Sequence, residues 1–236
     1  MKFKTTLLTL ASISLSVSAF AVPTLDQIIG GAPSLSDNGA QSFQLIDTDS
    51  QDDNFLAQIV LEQASYESDM GIYSFTTDSN GDATVVKTLK VLDATQEPGA
   101  LGGSQTVNFD LSSGTAYIDD DGTSGLSLGD TQAMIGSTFG FYLDVIDTTK
   151  RYYSHLNLNS DSFDHLAVFD TDGQGGNTSS YNIVLAWEDL DGGGDMDFTD
   201  MVVGVTDVKA VPEPATLALL GLGLAGLGAA RRRQKT

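Results

Sequence analysis

The chain of 236 residues has no cysteine and only two histidines, His155 and His165. The first absence excludes disulfides, thiolate catalysis and thiolate metal ligands; the second makes a histidine-rich zinc site a poor fit. Bases are scarce as well. Only Lys87, Lys90, Lys150, Arg151 and Lys209 lie between Val22 and Val211, whereas all of the 32 acids but Glu213 lie there, a balance of five against 31, or −26. Phosphate binding needs clustered cations, so nucleic acid is not an expected partner. Outside the two ends there is no long 3.6-period amphipathic pattern, and no internal repeat of fixed period.

Both ends read as targeting segments. Met1-Lys2-Phe3-Lys4 is a basic start, Thr5 to Phe20 is apolar and serine-rich, and Ala19-Phe20-Ala21 fits a small-x-small cleavage site that leaves Val22 first. An N-terminal membrane helix is the competing reading, but the apolar run is short and ends in small residues. At the other end stand Pro212-Glu213-Pro214, an uncharged Gly/Leu/Ala stretch from Ala215 to Ala230, and Arg231-Arg232-Arg233. As a helix, residues 215–230 span about 24 Å against a hydrocarbon core near 30 Å, a marginal length for a permanent anchor. The arginines favour the cytoplasmic side, which places everything upstream beyond the inner membrane. Triplet, apolar stretch and basic stop together resemble the PEP-CTERM sorting tail of Gram-negative bacteria. That resemblance implies an exosortase-type membrane protease as partner and transient residence in the inner membrane through 215–230. It also implies final delivery to the cell surface or extracellular matrix. The expected division is 1–21 signal peptide, 22–211 secreted acidic domain and 212–236 sorting tail.

The secreted part reads as β-structure. Strand-like runs are Phe55–Leu61 (apolar enough for a strand or a short helix), Gly71–Thr76, Thr84–Leu92, Thr106–Leu111, Thr115–Ile118, Thr138–Ile146, Leu166–Phe169, Asn182–Trp187 and Met201–Val208, nearly all separated by Gly, Asp, Asn and Ser. Asn80-Gly81 marks a hairpin tip between the second and third. Such strands predict a mainly β fold, an antiparallel sandwich or jelly roll. To it are added an N-terminal signal helix and a C-terminal transmembrane sorting helix. Any helix in the body is expected within 22–65.

The densest chemistry is Trp187-Glu188-Asp189-Leu190-Asp191-Gly192-Gly193-Gly194-Asp195-Met196-Asp197-Phe198-Thr199-Asp200. Glu188, Asp189, Asp191, Asp195, Asp197 and Asp200 would repel one another and raise each other's pKa values without a counter-charge. Calcium, with six to eight oxygen ligands in flexible geometry, is the expected cofactor. From Asp189, a twelve-residue calcium-loop register puts Asp at positions 1, 3, 9 and 12 and Gly194 at 6. Position 5 is Gly193 and position 12 is Asp rather than Glu, and the flanks look like strands, so this is not an EF-hand. The bland alternative is a solvated acidic turn. Three further acidic clusters, 47–53, 119–122 and 170–173, read as ordinary turns. The 170–177 loop would come near 189–200 if the adjacent strands pair. Asp164-His165 is placed to orient a ligand, but a hydrogen-bonded surface pair is the simpler reading.

Phe139-Gly140-Phe141-Tyr142-Leu143, Tyr152-Tyr153-Ser154, Asp164-His165 and the Trp187–Val203 run resemble domain-of-unknown-function family 4114 over roughly 135–208. That family often precedes a PEP-CTERM tail and has no assigned reaction. Its closing Glu-Asp…Gly-Asp-x-Asp-(aromatic)-x-Asp motif is matched by Glu188, Asp189, Gly194, Asp195, Asp197, Phe198 and Asp200. The resemblance departs at Trp187 and Thr199, where Phe and Asn are usual. No catalytic residues are assigned: Ser154 and His155 are strand neighbours pointing to opposite faces, and no Gly-x-Ser-x-Gly elbow occurs. The expected function is a calcium-binding β-domain with a structural or adhesive role in exopolysaccharide or biofilm matrix. A module binding extracellular polysaccharide through Tyr73, Tyr152, Tyr153 or Trp187 is the alternative, and a secreted hydrolase the third reading.

Overall fold

The computed structural model describes residues 22–30, 34–46, 53–96, 98, 103–171 and 180–212. Expectations for 1–21, for the 47–52 and 172–177 acidic stretches, and for the tail beyond Pro212 fall outside them. Among the described residues, no helix is long and apolar enough to cross a membrane.

One short helix, α1 (Leu25–Ile29), precedes the strands. They are β1 (Ser42–Leu45), β2 (Asn54–Glu62), β3 (Ser68–Thr77), β4 (Ala83–Leu92), β5 (Ser104–Asp110), β6 (Thr115–Ile118) and β7 (Thr131–Met134). Then follow β8 (Thr138–Val145), β9 (Lys150–Tyr153), β10 (Leu166–Asp170), β11 (Ile183–Trp187), β12 (Met201–Val205) and β13 (Val208–Val211). A first sheet runs β13-β1-β8-β3-β4, with β9 also beside β8, and a second runs β10-β11-β12-β2-β5-β6-β7. The pairings are antiparallel. The expected β-sandwich architecture is present as two antiparallel sheets facing one core.

Period-two alternation builds that core. Phe55, Ala57 and Ile59 of β2 point inward while their neighbours stay partly exposed. The Phe55 and Phe139 rings stack at 5.8 Å across the sheets, and Phe43 meets Phe141 edge-on at 4.8 Å. In β11 and β12 every residue is buried, a pattern that requires cover on both faces. The outer cover is the N-terminal segment. Leu25 and Ile28 of α1 pack on Ala167, Phe169, Val184, Ala186 and Val202. Asn38 N donates to Val168 O at 2.9 Å and Val168 N to Asp37 Oδ1 at 2.8 Å, which closes the β10 edge against further pairing.

The hairpin between β3 and β4 turns at Asn80-Gly81, with Gly81 at φ 93° and Asp78 N donating to Asp82 O at 3.0 Å. The expected single strand from Met201 to Val208 is instead two. Asp207 at φ 54° turns the chain out of the second sheet and into the first as β13. Strands β1, β7 and β9 were not among the expected runs; four residues each, SFQL, TQAM and KRYY, are too few to display alternation. β10 and β11 do pair, with Leu166 opposite Trp187 and Asp170 opposite Ile183, so Asp170 and Trp187 stand at opposite ends of the pair.

Candidate metal centre

The 188–200 loop joins β11 to β12 at the point where Trp187 and Met201 are partners. Glu188 N donates to His165 O at 3.0 Å, so the ladder continues one residue past Trp187 and carries Glu188 into the interior. Three glycines with positive φ, Gly192 at 72°, Gly193 at 82° and Gly194 at 46°, then coil the chain back on itself. Met196 at φ 61° and Phe198 at φ 54° adopt the same hand without being glycine, a strain of about 1–3 kcal/mol each. Burial offsets it. Phe198 is sealed in the cluster beneath α1, and Met196 packs against that cluster. The apolar half of the loop is thereby pinned under the N-terminal segment, and its acids are turned the other way.

Glu188 is fully buried; its Oε1 accepts from Phe198 N at 2.8 Å, while Oε2 has no hydrogen-bond partner. Oxygens of Glu188, Asp195 and Asp197 lie within 4.8 Å of one another. Burial, then the charges of Asp200, Asp195 and Asp197, pushes the Glu188 carboxyl up to about 7. Asp189 is also buried with an unpartnered Oδ2, and its N–H donates to Asp200 Oδ2 at 2.8 Å. Burial is the main cause that raises both carboxyls; the charge of Asp200 adds to it at Asp189, whereas at Asp200 the hydrogen bonds with Asp189 oppose it and Asp197 and Asp195 add to it. Asp197 Oδ1 accepts from Thr199 N at 3.0 Å and Thr199 Oγ1 at 2.7 Å. Thr199, standing where the resembled family usually has Asn, thus retains a turn-forming hydrogen bond.

The six predicted ligands do not all converge. Asp191 is drawn away to the first sheet, where it accepts from Tyr152 OH at 3.1 Å and pairs with Lys150 at 3.1 Å, contacts that hold its carboxyl below the usual range. The twelve-residue register therefore does not describe the arrangement, because its position 3 points elsewhere and Glu188, outside the register, stands at the centre.

Of the residues that hold the loop, the sequence singles out His165, there expected at the surface, but not Asp161 or Phe163. His165 is fully buried, stacked on Tyr152 at 3.6 Å, with Nδ1 3.0 Å from Glu188 O and Nε2 2.9 Å from Asp161 Oδ2. Its carboxylate partner is Asp161, not the adjacent Asp164. Asp161 Oδ2 also accepts from Gly192 N at 2.7 Å. Burial alone would raise Asp161, but the amides of Gly192 and Phe163 and the His165 ring outweigh it and hold it at about 2. A Cβ at Gly193 would run into the Phe163 ring. Spacing alone offered no sign of Asp161; a short Asp-x-x-x-His run with an intervening turn is the only trace.

A second acidic group, Asp119, Asp121 and Asp130, also brings oxygens within 4.8 Å. Each of these carboxylates accepts local donors: Gly122 N on Asp119, Thr123 and Ser127 on Asp121, and Ser127 N on Asp130. It is built as a turn. The other histidine, His155, is sealed among Tyr73 OH at 2.5 Å and Ser42 Oγ at 3.1 Å, and burial pushes it down to about 4. Ser154 donates to Gln41 O at 2.7 Å and is 1 % exposed, so this pair faces no solvent. Of the four rings considered for glycan stacking, Tyr73, Tyr152 and Trp187 are buried, which leaves only Tyr153 partly exposed.

A two-sheet β domain whose acidic loop buries Glu188 and Asp189 and exposes Asp195 and Asp197 leads into a Pro-Glu-Pro triplet. Residues 123–207 match a domain of unknown function, DUF4114, and residues 210–233 match the PEP-CTERM protein-sorting motif. The chain thus resembles PEP-CTERM sorting-tail proteins at its end and family 4114 in its domain. Its tail implies export and handling by an exosortase. No curated protein and no solved structure matches the chain.

Proposed function

We propose that the exported domain binds calcium at the 188–200 loop and serves a structural or adhesive role in the extracellular matrix. The observation that carries the reading is the Glu188 carboxylate, sealed from water with Oε2 unpartnered and facing Asp195 and Asp197. A buried unpaired carboxylate is expensive unless neutralised. A hard cation supplies the missing charge and takes oxygen ligands in irregular geometry. Glu188, Asp195 and Asp197 would be its side-chain ligands, with Asp189 and Asp200 alongside. Asp191 belongs to the support. Outside the inner membrane calcium is abundant, so even a millimolar site would fill.

The sole tryptophan, Trp187, precedes Glu188 and is buried beside the loop, so its emission reports the site directly. Calcium added to the chelated chain should shift Trp187 emission saturably, and Glu188→Gln together with Asp195→Asn should abolish the shift. An emission spectrum indifferent to calcium in the parent overturns the metal reading. The matrix role is tested separately, by retention of the exported protein on the host's own exopolysaccharide with calcium and with chelator.

A further inference from the structure

The sorting motif begins inside the fold. Its match starts at residue 210, whereas β13 runs to Val211, so Ala210 and Val211 belong to both. Strand β13 is the edge of the first sheet and pairs with β1 alone, Ser42 opposite Val211 and Leu45 opposite Val208. Leu45 N donates to Ser137 O at 3.0 Å, toward the β8 side. By alternation Gln44 and Ser42 present their backbone groups to β13. Ser42 and Val211 are therefore a hydrogen-bonded pair, the last rung of the ladder.

Beyond that rung there is almost no slack. Pro212, Glu213 and Pro214 are all that separate Val211 from the apolar stretch beginning at Ala215. Even fully extended, they span about 10 Å. A membrane protease acting on this tail therefore meets the folded domain. Proteins that capture a peptide in extended form pair with its backbone along an edge. For Val211 one edge is already committed to Ser42.

Resting on the sorting reading, we propose that the β1–β13 edge is the surface the exosortase-type protease meets, and that Ala210 and Val211 must leave β1 before the tail is processed. The strand is built to release from this end. Of its four residues only Val208 is buried, Lys209 is exposed, and Ala210 and Val211 are half-buried. Pro212 lacks an N–H and cannot prolong the ladder. Val208 would stay in the core while the last two residues peel away, so release costs the domain no core contact.

The absence of cysteine makes the test clean. A hydrogen-bonded antiparallel pair has Cα atoms about 5.5 Å apart, within the span of a disulfide. The full precursor carrying Ser42→Cys and Val211→Cys is presented, oxidised or reduced, to membranes containing the protease, and loss of the tail is read by mobility. The oxidised form should resist processing while the reduced form and both single variants are processed as the parent is. A six-residue Gly/Ser insertion between Val211 and Pro212 should restore processing to the locked form. In the unlocked chain it should speed processing roughly tenfold, the worth of the two hydrogen bonds of the last rung. Processing of the oxidised form at the parental rate overturns the proposal, as does failure of the insertion to rescue it. A parent that is itself never processed defeats the sorting reading instead.

Discussion

A carboxyl group sealed from water with one oxygen unpartnered must hold either a proton or a cation. For Glu188 the first option sets a pH dependence whose sign is definite. Its carboxyl titrates near 4.5 in an unfolded chain and near 7 in the fold. Between those values the folded state binds the extra proton, so metal-free stability falls as pH rises through the window, by about 3 kcal/mol for this group alone. Asp189 and Asp200 act in the same direction. In chelator, the melting temperature should drop between pH 5 and pH 8, and saturating calcium should flatten that slope because the cation replaces the proton. Glu188→Gln should lessen the slope by this group's share, leave the part due to Asp189 and Asp200, and lose the calcium response. A flat profile for the chelated parent would contradict the sealed geometry. The loop glycines supply a contrast at the same scale. Gly192 and Gly193 share a left-handed φ, but only Gly193 lies against Phe163; nothing stands within 4 Å of a Cβ at Gly192. Gly192→Ala should cost about 1 kcal/mol from backbone strain, and Gly193→Ala about 2–4 kcal/mol, as overpacking is added. Denaturant midpoints of the two variants decide it. The sequence marks all three glycines as a turn; which one abuts a ring is a fact of tertiary packing that spacing does not carry.

At the scale of elements, the loop is a hairpin connection held from three sides. Phe198 and Met196 tie it to α1, Asp191 ties it to β9, and Asp161 with His165 ties its first half to the segment before β10. Ligand-supporting contacts of this kind typically govern affinity by 10- to 100-fold. Asp161→Ala frees Gly192 N and the His165 ring without touching a proposed ligand. Calcium affinity read by Trp187 emission should weaken by at least about tenfold, with the chelated protein still folded by circular dichroism. Unchanged affinity would make the clamp purely structural. β11 and β12 were legible because unbroken apolar runs are properties of local sequence, whereas Phe55–Leu61 suited a strand or a short helix alike and its alternating burial comes from tertiary pairing. The clamp was not legible. Adjacency suggested Asp164 for His165, yet neighbouring side chains diverge, and a turn through Ser162 at φ 58° brings Asp161 back instead. The calcium-loop register failed at Asp191 for a related reason: Tyr152 and Lys150 arrive from a strand too short to be recognised.

Across the whole molecule the charge is unevenly distributed. All five cations of the exported part lie on the first sheet, Lys87 and Lys90 in β4, Lys150 and Arg151 in β9, and Lys209 in β13. Arg151 pairs with Asp144 and Lys90 with Asp69 and Asp93, so the second sheet carries its acids without any base of its own. Two kinds of repulsion therefore destabilise the calcium-free domain, and salt separates them. At 0.1 M the Debye length is about 10 Å, so salt screens charges spread over the surface far more than the buried Glu188 carboxylate, whose oxygen lies within 4.8 Å of those of the exposed Asp195 and Asp197. Sodium chloride should raise the melting temperature of the parent and of Glu188→Gln by equal amounts. Calcium, compared at matched ionic strength, should raise the parent alone. At a hundredfold excess over its dissociation constant the gain is about 2.7 kcal/mol, which for a domain of this size is roughly 5–10 °C. Magnesium, smaller and reluctant to shed water, should give less than calcium in an irregular cluster of carboxylates. Equal shifts from calcium and from sodium chloride at matched ionic strength would mean that the acids act only as a diffuse field, and the loop would lose its claim to a specific ion.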